Sequence, residues 1–265
     1  MNGPALGLLA VAFSAYLVHL HTGRRALGRA ATGAGLAAWA LMLARLIERG
    51  RLSGHWPLTN RYEFALCFAW ATLSLYLLLE ASWRERRIGA FALAVVLAVA
   101  GYAITRPEAM QAVAPLTPAL RSPWLPLHGL TAAVAYGAFG LAAGLGLARL
   151  FAGRLADRLP TTDELDQMMG RCVALGLPWL TLSILTGAIW AQNAWGRFWG
   201  WDAKEVWALV TWLWYLMLLH VRPLPRWRGR RMAVLLLIGF GAVVFTLVGV
   251  PWLVPLVRLE SLHGF

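Results

Sequence analysis

Between positions 190 and 222 the chain reads WAQNAWGRFWGWDAKEVWALVTWLWYLMLLHVR. Seven of its 15 tryptophans fall between Trp190 and Trp214. Trp195, Trp199 and Trp201, with Gly196 and Gly200 between them, make a flat aromatic surface. Such a surface suits a large planar apolar ligand that must enter and leave. Anchoring at a bilayer interface uses a few tryptophans per side, and this density exceeds that. Asp202 and Glu205 have the D-x-x-E spacing of a capping box that opens a helix. That structural role is compatible with a ligand site beside them. Arg197 and Lys204 suit either an anionic ligand group or ordinary snorkelling at an interface.

The six histidines extend the pattern. Histidine in or at the edge of a membrane is a functional hypothesis by default. His128 opens an apolar run, and His263 sits in the final tail, on the same side as the tryptophan segment. Two neutral imidazoles on opposite faces of a planar macrocycle are what a six-coordinate haem requires. His128 and His263 therefore read as axial ligands of haem iron, with the tryptophans as the wall. His220 follows Asp202 by 18 residues on one predicted helix, which is roughly 27 Å. It is a candidate for a second, inner iron ligand, or a snorkelling histidine beside Arg222. His19 and His21 end the first apolar run at a similar depth, and one of them could face His220. His55 has no expected ligand role. In PLTNRYEF at 57–64, Asn60 and Glu63 form another predicted capping box, and Arg61 and Glu63 could shape the outer cavity. Cys67 and Cys172 lie in or beside apolar runs, with no CxxC, and read as small buried hydrophobes.

The elements that must position these residues are membrane helices. Of 265 residues, 60% are hydrophobic and 14% charged, with mean hydropathy +0.62. Soluble domains carry about 25% charged residues, so a soluble enzyme, a disordered chain and a collagen are excluded. A bilayer core needs about 20 apolar residues per helix. Eight runs qualify, near 4–21, 31–47, 62–80, 88–105, 127–149, 171–190, 203–221 and 232–250. The first is not read as a cleaved signal, because its arginines follow the apolar run. The 152–170 loop is polar, with a helix start expected at Thr162. The fold class is an all-α integral membrane protein, a single domain over 1–265 with a tryptophan-rich loop at 191–205.

The net charge of +12 comes from 23 arginines and Lys204 against 12 acids. The cations sort by topology rather than forming a nucleic-acid surface. Fifteen lie in the loops after the odd-numbered runs and nine in or beside the others. The positive-inside rule puts the fifteen in the cytoplasm, with both termini and the tryptophan loop outside. There is no GxxxxGK[ST] segment for an ATPase and no internal repeat of the kind common in secondary transporters.

WGRFWGWDAKE, followed by a helix ending in LLHVR, resembles the WWD signature of the CcsA/ResC cytochrome c biogenesis proteins (System II). LHGLTAAVAYGAFG at 127–140 is similar to the segment carrying that family's first outer haem ligand. GVPWLVPLVRLESLHGF at 249–265 is similar to the segment carrying its second. PLTNRYEF resembles its P-x-T-N-x-Y-E-F segment. The order and spacing fit most of the chain, from about 55 to 265.

The resemblance implies that His128 and His263 are outer axial ligands and His220 a membrane-embedded one. The WWD loop, with Trp195, Trp199, Trp201 and Asp202, would hold a face and edge of haem b. It also implies export of haem across the plasma (inner) membrane and its attachment to the CxxCH motif of apocytochrome c. That work is shared with a CcsB/ResB-like membrane subunit, which makes the chain part of a haem lyase. Two alternatives stay open: a carrier that presents haem without forming bonds, and a structural subunit. Two departures stand out. Ala203 replaces the usual proline of WDPKE, where proline is favoured but dispensable. The tail also stops two residues after His263.

Overall fold

Long apolar stretches with few internal breakers leave the backbone one way to satisfy its polar groups in a bilayer, which is to coil into helices. The computed structural model describes residues 3–112, 116–155 and 157–256, and no strand occurs among them. Its helices are α1 (Gly3–Thr22), α2 (Arg25–Ser53), α3 (Arg61–Trp83), α4 (Gly89–Ile104) and the short α5 (Glu108–Gln111). They continue as α6 (Trp124–Phe151), α7 (Thr162–Trp195), α8 (Ala203–Val221), α9 (Arg230–Val244) and α10 (Val250–Leu256). All eight apolar runs are helices. Six, counting Arg230–Leu253 as one, are long and apolar enough to cross a membrane by themselves, and α4 is a shorter apolar helix. The chain is a multi-pass membrane protein. α7 begins at Thr162 as expected, capped by Thr161 in a full capping box with Glu164. The last run is broken by a π-helical turn at Phe245–Gly249.

α6 is the axle of the bundle, packing on α3, α4, α7 and α9. Small residues let its neighbours reach the backbone. A Cβ on Gly137 would stand 3.2 Å from the backbone of Thr72 in α3, and one on Gly146 would stand 3.1 Å from the carbonyl of Ala233 in α9. Lipid is as apolar as a leucine side chain, so close van der Waals contact rather than hydrophobic expulsion holds such helices together. From the other side, Tyr215 of α8 stacks on Phe139 of α6.

Two buried carboxylates on α3 tie the first helices to it. Glu63 on α3 is 1% exposed and accepts from Arg49 Nε of α2 at 2.6 Å. The remaining nitrogens of Arg49 donate to the carbonyls of Gln111 and Ala112, and its guanidinium lies over the Tyr62 ring. Glu63 also accepts from the amide and hydroxyl of Thr59. This revises the predicted Asn60–Glu63 box. Asn60 does cap the Glu63 amide, but the Glu63 carboxylate turns to Thr59 and Arg49. At the opposite end, Glu80 accepts from Tyr16, Tyr76, Thr32 and Arg86.

Breaking a buried pair by removing one partner costs about 3–5 kcal/mol, whereas an apolar replacement of both can be neutral. Glu63→Ala is therefore expected to lower the unfolding temperature in detergent sharply, and Arg49→Met with Glu63→Leu to recover most of the loss. Equal unfolding temperatures for wild type and Glu63→Ala would show that the pair contributes nothing.

Candidate functional site

At the tryptophan end of the bundle α3, α6, α7 and α8 part around a cavity of about 200 Å3. Its lining is graded. Leu125, Ala132, Tyr136, Leu180 and Ile184 make an apolar floor and side. Thr59, Asn60, Arg61, Lys204 and Glu205 make a polar rim, with Phe198 and Trp199 from the tryptophan loop beside it. Lys204 lies within electrostatic reach of both Arg61 and Asp202. The π-helical turn sends Thr246 and Leu247 into the lining. Such a bulge commonly marks a functional site.

His128 stands in the wall, one turn into α6. Its Nδ1 lies 2.9 Å from the carbonyl oxygen of Ser183 on α7. Trp190 stacks alongside at 6.0 Å and 16°. The Trp190 indole N–H donates to the carbonyl of Ala119, which fixes the 118–121 turn over the site.

The tryptophan loop is held by its own hydrogen bonds. Gly196 ends α7 with φ 75°. Glu205 accepts from the amides of Gly200 and Asp202, and Asp202 accepts from the amide of Lys204, so the predicted capping box is present. Trp201 has φ 56°, a left-handed conformation that is a real outlier for so bulky a residue. Its indole is 71% exposed and meets Trp199 edge-on.

The predicted site residues therefore separate. His128, Trp199 and Lys204 line the cavity. Trp195 backs the wall by packing edge-on against Trp190. Trp201 projects outward, and Asp202 is buried as the helix cap. Arg197 folds over the backbone of Gly200. His263 lies outside the described residues.

His220 sits at the far, arginine-rich end of α8, exposed, with Nδ1 donating to the carbonyl of Leu216. It shares an open face with Val210, Leu213 and Met217. The expectation that His19 or His21 could face it does not hold. α1 packs on α2 and α4, whereas α8 packs on α7 and α9. His19 is buried against Gly28 of α2, and His21 is exposed with its ring nitrogen bonded to its own helix.

Sequence reasoning did not assign Tyr136, Ser183, Gly187, Phe198 or Thr246 to the site. The only signal for the α7 members was their spacing: 183, 187 and 190 share one helical face.

The family model "Cytochrome C assembly protein" matches residues 58–257. The chain belongs to the cytochrome c assembly protein family. Among relatives, it is 35% identical over 242 residues to a cytochrome c biogenesis protein CcsA of Parasynechococcus marenigrum, covering 79% of each chain. It is 36% identical to the CcsA of Chlamydomonas reinhardtii, covering 79% of this chain and 62% of that one. It is 30% identical to the CcsA of Gloeobacter violaceus, covering 87% and 83%. Membership in the cytochrome c assembly family gives the chain a role in cytochrome c maturation.

Cap residues of this kind are worth about 0.5–2 kcal/mol. Glu205→Ala should lower stability by that order and free the 196–201 loop. Chymotrypsin should then cut at Phe198 or Trp201 faster than in wild type, and an unchanged cutting rate would show that Glu205 does not hold the loop.

Proposed function

We propose that this cytochrome c assembly protein carries haem b to the outer side of the plasma membrane and presents it there for covalent attachment to apocytochrome c. The observation that supports this best is the imidazole of His128 in the wall of a cavity edged by tryptophan and two cations. At about 200 Å3 the cavity is below the ~300–1,000 Å3 of a closed small-molecule pocket. It suits part of a macrocycle, with the remaining edge left outside. Arg61 and Lys204 would attract the propionate groups, Trp199 would lie along a face, and His128 would ligate the iron. His263, from the tail, would be the opposite ligand.

In this reading the arginine-rich end faces the cytoplasm. Haem enters near His220, whose open helix face would be covered by a CcsB-like partner, and passes to the outer site. A CxxCH segment of apocytochrome c then docks from outside. Each cysteine thiol adds across one vinyl group, forming one C–S bond and placing its hydrogen on the other vinyl carbon. The addition is redox-neutral and has no leaving group. It requires no nucleophile from this chain, in keeping with Cys67 and Cys172 both being buried. The chain's contribution is positioning, and the incoming histidine replaces one axial ligand.

The test is the visible spectrum of the protein purified with a CcsB-like partner, read beside cytochrome c maturation in cells. A low-spin haem band that is lost in His128→Ala together with maturation is the expected result. A colourless wild-type complex, or full maturation in His128→Ala, would overturn the reading. A haem-loaded protein in cells whose cytochromes are attached by another factor would instead establish a carrier. Arg61→Met with Lys204→Met should weaken binding of haem but leave binding of its dimethyl ester unchanged. Equal losses for the two ligands would exclude propionate recognition by this pair.

A further inference from the structure

Three residues of α7 surround the His128 ring without lying on α6. The Ser183 carbonyl oxygen is 2.9 Å from Nδ1, and the Ser183 hydroxyl oxygen is 3.2 Å from it. A carbonyl can only accept, so Nδ1 carries the proton and the imidazole lone pair belongs to Nε2. The Ser183 hydroxyl also reaches the backbone carbonyl of His128 at 3.3 Å, which ties the two helices at the same level. Ser183 is 2% exposed. One turn on, Gly187 leaves the space that the ring fills, since a Cβ there would stand 2.8 Å from Nδ1 and 2.9 Å from Cε1. Trp190, 3% exposed, closes the stack and is pinned by its bond to Ala119.

We propose that Ser183, Gly187 and Trp190 form a cradle on α7 that fixes the tautomer and plane of His128, so that Nε2 is the nitrogen offered to haem iron. This rests on the haem reading above and makes the three positioning residues. A metal-ligating histidine that donates its other N–H to a fixed acceptor becomes a more basic ligand, and losing such support costs about 10–100-fold in affinity. The cradle also keeps the ring in place after the iron leaves. An incoming histidine then has to break one iron–nitrogen bond and no ring reorientation follows, which suits a site that must reload.

The experiment compares Gly187→Ala, Ser183→Ala and His128→Ala in the complex with the CcsB-like partner. Gly241→Ala on α9, where an added methyl meets nothing within 4 Å, is the control. Haem content, spin state, midpoint potential and unfolding temperature are read for each. Gly187→Ala should lose haem affinity by about tenfold or more, shift toward high spin, and regain the low-spin band when free imidazole is added. Ser183→Ala leaves the carbonyl acceptor and removes only the hydroxyl contacts, so it should keep the band and raise the midpoint potential slightly, because a less supported imidazole stabilises ferric iron less. Wild-type spectrum and potential in both variants, with the band lost in His128→Ala, would overturn the cradle and leave the haem reading intact. A band that survives His128→Ala would overturn the haem reading itself. Should Gly187→Ala fail to fold, Trp190→Leu takes its place, and wild-type haem affinity and spin state in that variant overturn the proposal.

Discussion

The inner helices α3, α4, α7 and α9 are all referred to α6. A membrane helix gains little by hiding leucine from lipid, so its neighbours must be held by close contact and by polar ties. α6 provides the first by being stripped of side chains where other helices cross it, at Gly137 against Thr72 and at Gly146 against Ala233. That sets the spacing of α3 and α9, while Gly176 and Gly187 on α7 admit Phe139 and His128 of α6 from the other side. His128 stands near the start of the same helix. The imidazole in the cavity wall is therefore carried by the helix on which α3, α7 and α9 pack.

Around this axle the site is assembled from several parts of the chain. α3 and the turn before it bring Thr59, Asn60 and Arg61. The start of α8 brings Lys204 and Glu205, and the π-helical turn after α9 brings Thr246. No two neighbouring elements could make it alone. The tryptophan loop contributes less area than its composition suggests, because Trp199 turns in while Trp201 turns out. The exposed Trp201 leaves a bulky aromatic group on a left-handed backbone at the surface beside the cavity.

The helices were legible because hydropathy runs of this length admit one backbone solution. Their ends were less so. α2 extends to Arg25 and Ser53 on both sides of its apolar run, since arginine and alanine continue a helix past the hydrocarbon. His128 was legible because histidine at a membrane edge is conspicuous. The inward and outward tryptophans were not separable, because the sorting depends on the left-handed residue at 201 and the cap at Gly196, which spacing does not encode. Ser183 and Gly187 were hidden for another reason. In a helix apolar on all faces there is no polar contrast to mark the inner one. The π-turn has no compositional signature either, and its residues FTLVG read as ordinary helix.

The two buried carboxylates carry a consequence for where this protein begins as a folding unit. The segment shared with the family starts at residue 58. Yet Glu63 is neutralised by Arg49, and Glu80 takes two of its four donors from Tyr16 and Thr32. A fragment cut at the edge of the shared segment would keep both acids, lose the cation paired with Glu63, and leave Glu80 with Arg86 and Tyr76 but without two of its donors. The first helical hairpin, which precedes the segment that the family model matches and lines none of the cavity, thus supplies Glu63 with its counter-charge and Glu80 with two neutral donors.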